Sequence, residues 1–159
     1  TVQYGFPRRS SRMERRVTMT QPVVKPISWE YHDSLVARLA HMIGDDYRVR
    51  QIVALGRGGF VPGVQLSHML NIPLVPLMWQ TRDGQSAEKY VTDKYSLIID
   101  DINDSGRTLV EVTSQNTWVE GYCTAVLINK PSSQYKEVDF YSEIGEDNVW
   151  YEFPWETKI

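Results

Sequence analysis

With 159 residues, 42% hydrophobic and 23% charged, the chain holds enough apolar material for one folded domain and is not charged enough to stay disordered. No apolar run approaches the roughly 18 residues of a membrane-spanning helix, and a formal charge of −3 gives no basic footprint for nucleic acid. One cysteine, Cys123, excludes an intramolecular disulfide and fits a reducing compartment, so a cytoplasmic location is expected.

Residues 1–18 hold Arg8, Arg9, Arg12, Arg15 and Arg16 against Glu14; without those six the rest carries 12 basic and 19 acidic residues, a net charge of −7. This arm lacks the apolar stretch of a secretory leader. Residues 1–20 are expected to be a disordered or non-native extension outside the fold, with residues 1–18 preceding a plausible start at Met19, and 21–159 a single domain. Gln21 to Pro26 reads as extended. Ser28 suits a helix cap, and Leu35, Val36, Leu39, Met42 and Ile43 recur at helical spacing up to Gly44. Gln51 to Leu55 reads as a strand, Gly56 to Gly59 (GRGG) as a turn, and Val61 to Leu70 as a helix. Leu74 to Trp79 is strand-like, with Pro73 and Pro76 arguing for an edge. Polar Thr81 to Lys94 reads as a mobile loop. Tyr95 to Ile99 reads as a buried strand, Thr108 to Thr117 as a helix, and Tyr122 to Asn129 as a strand holding Cys123 as a structural thiol. Val138 to Tyr141 and Val149 to Phe153 are late strands. Alternating strands and helices predict a three-layer α/β fold with a mostly parallel sheet.

The stretch SLIIDDINDSGRTL, from Ser96 to Leu109, carries the chemistry. Asp100, Asp101 and Asp104 are expected on the turn between strand and helix, where α/β domains bind ligands. Ser105, Gly106, Arg107 and Thr108 offer backbone N–H groups and two hydroxyls to an anion at a helix N-terminus. The acids would repel that anion unless they face sugar hydroxyls or a divalent cation. A ligand combining phosphate, polyol and metal is implied. In GRGG, three glycines around Arg57 permit close approach to an anion. Neither G-x-G-x-x-G nor G-x-x-x-x-G-K-[ST] is present, which removes the dinucleotide-binding and P-loop readings.

IIDDINDSGRTL resembles the phosphoribosyl-diphosphate (PRPP) motif of type I phosphoribosyltransferases. ALGRGGFVPG near residue 54, INKP at 128–131 and VWYEFPWE at 149–156 are similar, in order and approximate spacing, to the xanthine-guanine group of that family. The likeness runs from Ile27 to Glu156. It implies the three-layer type I fold, with a small C-terminal hood over the mostly parallel sheet. It also implies transfer of phosphoribosyl from PRPP to a 6-oxopurine (guanine, xanthine or hypoxanthine), with Mg²⁺ as cofactor and a homodimer or homotetramer as assembly.

By that resemblance Asp100 and Asp101 hold the ribose hydroxyls, directly or through Mg²⁺ with Asp101 as its ligand, and Asp104 to Thr108 cradle the 5′-phosphate. Arg57 with the Gly58 and Gly59 amides binds diphosphate, and the Gly56–Arg57 peptide is expected in cis. Trp150 stacks on the purine, Lys130 donates to its 6-oxo group, the Tyr151 carbonyl meets position 2 or its neighbour, and Asp104 accepts the N7 proton. Two departures stand out. The loop over 79–94 lacks the family's serine-tyrosine pair, and Arg107 replaces a small residue. His32, His41 and His68 match no family role and read as surface or core residues; Trp29 and Trp118 read as packing. The alternatives are a nucleotide-sensing regulator on the same fold and a transferase for another base. A phosphosignalling receiver fails because YCTAVLI carries no phosphoacceptor aspartate.

Overall fold

The computed structural model describes residues 21–44, 46, 48–79 and 89–159. Strand β1 (Val23–Pro26) leads to helix α1 (Trp29–Ile43). Ser28 caps this helix, its Oγ accepting from Tyr31 N at 3.0 Å, and Gly44 ends it at φ +53° with its N–H donating to Ala40 O. Then follow β2 (Gln51–Gly56), α2 (Phe60–Leu70), β3 (Leu74–Met78), the two-residue β4 (Val91–Thr92) and β5 (Ser96–Asn103). Helix α3 (Arg107–Gln115), the two-residue β6 (Thr117–Trp118), β7 (Tyr122–Asn129), β8 (Phe140–Ile144) and β9 (Val149–Glu152) complete the order.

Five strands form one parallel sheet in the order β3-β2-β5-β7-β8. The three inner strands are apolar almost throughout because both faces are covered. On β5, Leu97 and Ile99 pack with Leu35, Leu39 and Leu66 of α1 and α2, while Ile98 packs on the opposite face with Leu109 and Val112 of α3. Those alternating residues produce three layers. The prolines of the third strand sit at an edge, as expected.

Strand β5 outruns the apolar run. Expected to stop at Ile99, it continues to Asn103, pairing Asp100 with Val126, Ile102 with Ile128 and Asn103 with Asn129. Asp100 and Asp101 therefore lie on the strand itself, and only Asp104 lies on the turn. Helix α3 ends at Gln115, and Thr117 enters β6, which pairs with β4 inside the stretch read as loop. Asn116 fixes that corner, accepting from Tyr90 N at 2.7 Å and donating to Val112 O at 2.8 Å. Most of the expected mobile loop, 80–88, and the arginine-rich arm lie outside the described residues.

The hood is a parallel ribbon of β1 and β9. The extended segment before α1 is thus a strand that pairs with a partner 126 positions away. Trp29, read as packing, is half-exposed, although its ring lies beside those of His32 and Trp155.

Candidate active site

Strands β2 and β5 are neighbours, so the turns that follow them meet at one end of the sheet. The Gly56–Arg57 peptide is cis, matching the geometry expected from the resemblance. Gly59 donates to Leu55 O at 2.8 Å and presses on the backbone of Leu55 and Ile99. A Cβ on Gly58 would overlap the Asp101 carboxylate, so GRGG lies directly on that acid. Arg57 is exposed beside it.

The paired acids have distinct surroundings. Asp100 Oδ1 accepts from Asp101 N at 2.9 Å, and Asp101 Oδ1 accepts from Ile102 N at 2.7 Å. Burial raises both carboxyls above the usual range; at Asp100 the charge of Asp101 adds to it. The Glu156 charge, reaching over from the hood, also raises Asp101. Burial raises Glu156 itself. Burial and the neighbouring charge work against both aspartates ionising together, and among the described residues no group of three acidic, histidine or cysteine side chains is arranged to hold a metal.

Asp104 stands further out. Its side chain is 51% exposed, and its Oδ1 lies 2.9 Å from Nζ of Lys130, whose side chain is only 5% exposed. That ammonium also donates to Val149 O at 2.8 Å. A buried cation requires such partners, and Lys130 thereby joins the end of β7, the turn after β5 and the hood. Ser105 is exposed, with Oγ accepting from Arg107 N at 3.3 Å; Thr108 is half-buried. Gly106 adopts φ +85°, and a side chain there would also strike Ser133 and Tyr135. The Arg107 side chain lies along its own helix, Nε donating to Glu111 Oε1 at 2.8 Å. The first-turn N–H groups of α3 have no intrahelical acceptors and open onto the same end of the sheet.

On the hood, Trp150 is 48% exposed, while the Tyr151 side chain is buried with its hydroxyl accepting from Glu146 N at 2.9 Å. Val23 N donates to Asn148 O and Ile27 N to Glu152 O. Even-numbered carbonyls of this strand thus face β1, and those of Val149 and Tyr151 face the opposite edge, where Lys130 already holds Val149 O. The Tyr151 carbonyl is presented on the lysine's side.

The structure therefore gathers Arg57, Gly58, Gly59, Asp100, Asp101, Asp104, Ser105, Gly106, Thr108, Lys130, Trp150 and Tyr151 around one end of the sheet. It turns the Arg107 side chain toward Glu111. Sequence reasoning missed the buried bracing behind the turn, Asn103, Asn129 and Ser133, and the reach of Glu156. Polar residues at the ends of two apolar strands, Asn103 and Asn129, were the available signal. His32 is fully buried in contact with Trp29 and Trp155.

Paired acids on β5 run into one glycine turn, lie against a second and share this end of the sheet with an exposed tryptophan. Residues 29–159 match the family model described as a phosphoribosyl transferase domain. The chain belongs to the phosphoribosyltransferase family, as the motifs implied. It is 30% identical over 142 residues to a xanthine-guanine phosphoribosyltransferase of Desulfotalea psychrophila, spanning 84% of this chain and 86% of that one. A xanthine-guanine phosphoribosyltransferase of Cereibacter sphaeroides is 31% identical over 149 residues, spanning 84% and 87%. The crystal structure of a purine phosphoribosyltransferase from Pyrococcus horikoshii superposes with a TM-score of 0.69 at 28% identity, covering 86% of this chain and 96% of that one. The type I fold is thereby established.

Proposed function

We propose that this chain transfers the phosphoribosyl group of PRPP to a 6-oxopurine, releasing diphosphate and forming a nucleoside 5′-monophosphate. The observation that carries this reading is the placement of Lys130. Its ammonium is fixed between Asp104 and the β9 edge that also presents the Tyr151 carbonyl, one residue from the exposed Trp150. An ammonium donates and cannot accept, which suits an oxo group and not the amino group of adenine. Trp150 supplies a stacking face. Asp104, separated from Lys130 when a base enters, accepts the N7 proton and leaves the imidazole ring more nucleophilic at N9.

At the other end, Ser105, Thr108 and the α3 amides hold the 5′-phosphate, and Asp100 and Asp101 hold the ribose hydroxyls. Cleavage of the C1′–O bond gives the ribose positive character and the diphosphate negative charge. Arg57 with the Gly58 and Gly59 amides stabilises that leaving group. Mg²⁺ would be held by Asp101 together with oxygens of PRPP itself, and would supply charge neutralisation of the diphosphate there.

Guanine, hypoxanthine and xanthine, each supplied with PRPP and Mg²⁺, should yield monophosphate, whereas adenine and uracil should not. Robust adenine turnover would overturn the base assignment. Binding without product from any base would favour a nucleotide-sensing regulator. Loss of turnover in excess chelator checks the metal.

Assembly into a homodimer or homotetramer belongs to the same reading. From Gly58 to Thr81 the sequence contains no Asp, Glu, Lys or Arg. The outer face of α2 in this stretch forms an open groove of about 510 Å³ lined by Phe60, Val61, Val64, Gln65 and His68. A chain of net negative charge can approach its copy there without like-charge repulsion. Light scattering of the wild type and of Val64→Glu tests it. A cytoplasmic setting is supported by the free, buried thiol of Cys123.

A further inference from the structure

The turn that would hold the phosphate is itself exposed at Asp104 and Ser105, yet a phosphate cradle works only if its amides are already aimed. The bracing comes from behind. Asn103, the last residue of β5, is 1% exposed and its side-chain amide is used at both ends. Nδ2 donates to Asn129 Oδ1 at 2.9 Å and to Tyr135 O at 2.9 Å, and Oδ1 accepts from Ser133 Oγ at 2.8 Å. Ser133, equally buried, accepts in turn from Tyr135 N at 3.1 Å. Three backbone bonds run alongside: Lys130 N to Asn103 O at 3.1 Å, Ser133 N to Lys130 O at 3.1 Å and Gln134 N to Ser105 O at 2.9 Å. Gly106 then rests against Ser133 Oγ and Tyr135 N, where no side chain would fit.

We propose that Ser133, Asn103 and Asn129 are positioning residues that set the phosphate turn from behind, a role that rests on the phosphoribosyl reading above. None of the three side chains needs to touch substrate. Ser133 is the keystone because its single hydroxyl donates to Asn103 and accepts from Tyr135. Its removal leaves Asn103 Oδ1 unpaired in the interior and Tyr135 N without its side-chain acceptor, which loosens the contact behind Gly106. The effect falls on the phosphate side. The base is held by Lys130, Trp150 and Tyr151, and the Lys130 ammonium keeps its own partners, Asp104 and Val149.

The test uses the full chain and ribose 5-phosphate as the probe, with dissociation constants from calorimetry and steady-state kinetics beside them. Ser133→Ala should weaken ribose 5-phosphate binding about tenfold, the scale of one buried hydrogen bond, and raise KM for PRPP alike. KM for guanine at saturating PRPP should change less than about twofold. Ser132→Ala, at the exposed neighbouring position, should change neither. If Ser133→Ala does not fold, Asn129→Ala, which removes the acceptor for Asn103 at a half-buried position, decides the question in the same direction. Unchanged ribose 5-phosphate affinity with a lowered melting temperature would reduce the network to a structural one and overturn the role. Equal weakening of guanine and PRPP would do the same. A wild type that binds no ribose 5-phosphate and converts no base overturns the phosphoribosyl reading itself, and this role with it.

Discussion

At the scale of single residues, the proposed function has Lys130 and Trp150 divide the base between them. Lys130→Ala removes the donor for an oxo group and leaves Asp104 without its cation. Turnover of guanine should fall by at least tenfold, while affinity for ribose 5-phosphate should change far less, since the Lys130 side chain reaches the turn only through the exposed Asp104 and leaves the α3 amides, Ser105 and Thr108 untouched. Trp150→Ala removes a stacking face worth about 1–3 kcal/mol per base and should raise KM for all accepted purines alike. Steady-state kinetics over the base panel separates the two patterns. Cys123 gives a different kind of test. Burial pushes its thiol up to about 12, with the Asp139 charge adding to the shift. An unfolded thiol ionises near pH 8.5, so above that pH the unfolded chain releases a proton that the folded chain retains. The contribution is fully present below pH 8.5 and is lost as pH rises toward 12. Between pH 8 and 10 the melting temperature of the wild type should fall more than that of Cys123→Ala.

Among the elements, α1 depends on local signals and β5 on distant ones. Ser28→Ala removes the Oγ acceptor for Tyr31 N and should cost about 1 kcal/mol, read as a lower denaturation midpoint with unchanged slope. That cap was legible in the sequence, as were Gly44, the GRGG turn and the alternation of strands with helices, because each is set by residues within a few positions. The end of β5 was not. Two aspartates interrupt the apolar run and read as a turn, but the ladder to β7 carries the strand on through Asp100, Ile102 and Asn103. That pairing is decided by residues more than twenty positions away. The two-residue strands β4 and β6 are too short for any periodicity to show. The site followed the same division. Residues inside the motifs were readable, whereas Ser133 acquires its importance only because the fold sets it behind Gly106. Arg107 was placed in the phosphate turn by its position in the motif; its side chain lies beside Glu111 one turn on, which the i,i+4 spacing also made legible.

For the molecule as a whole, sheet and hood differ in how they are held. The sheet buries its three inner strands on both faces, with side chains from three helices packed on them. The hood joins Val23–Pro26 to Val149–Glu152, and all four side chains of its first strand are exposed. Val149, Tyr151 and Phe153 pack into the main core, whereas the first strand closes a long loop without burying any of its own side chains, so that edge of the ribbon contributes a small share of the total stability. Amides in it, such as that of Ile27 bonded to Glu152 O at 2.7 Å, should exchange with deuterium well before that of Ile98 in β5. Equal protection would show that hood and sheet open as one unit. Trp150 and Tyr151 lie on the strand that pairs with this exposed edge, while in the proposed reading β5 carries the acids and leads into the phosphate turn, so the two halves of recognition would differ in durability. In mild denaturant the chain should stop quenching its tryptophan fluorescence with guanine while it still retains ribose 5-phosphate. The power to tell one base from another would be the first property lost on warming and the last regained on refolding.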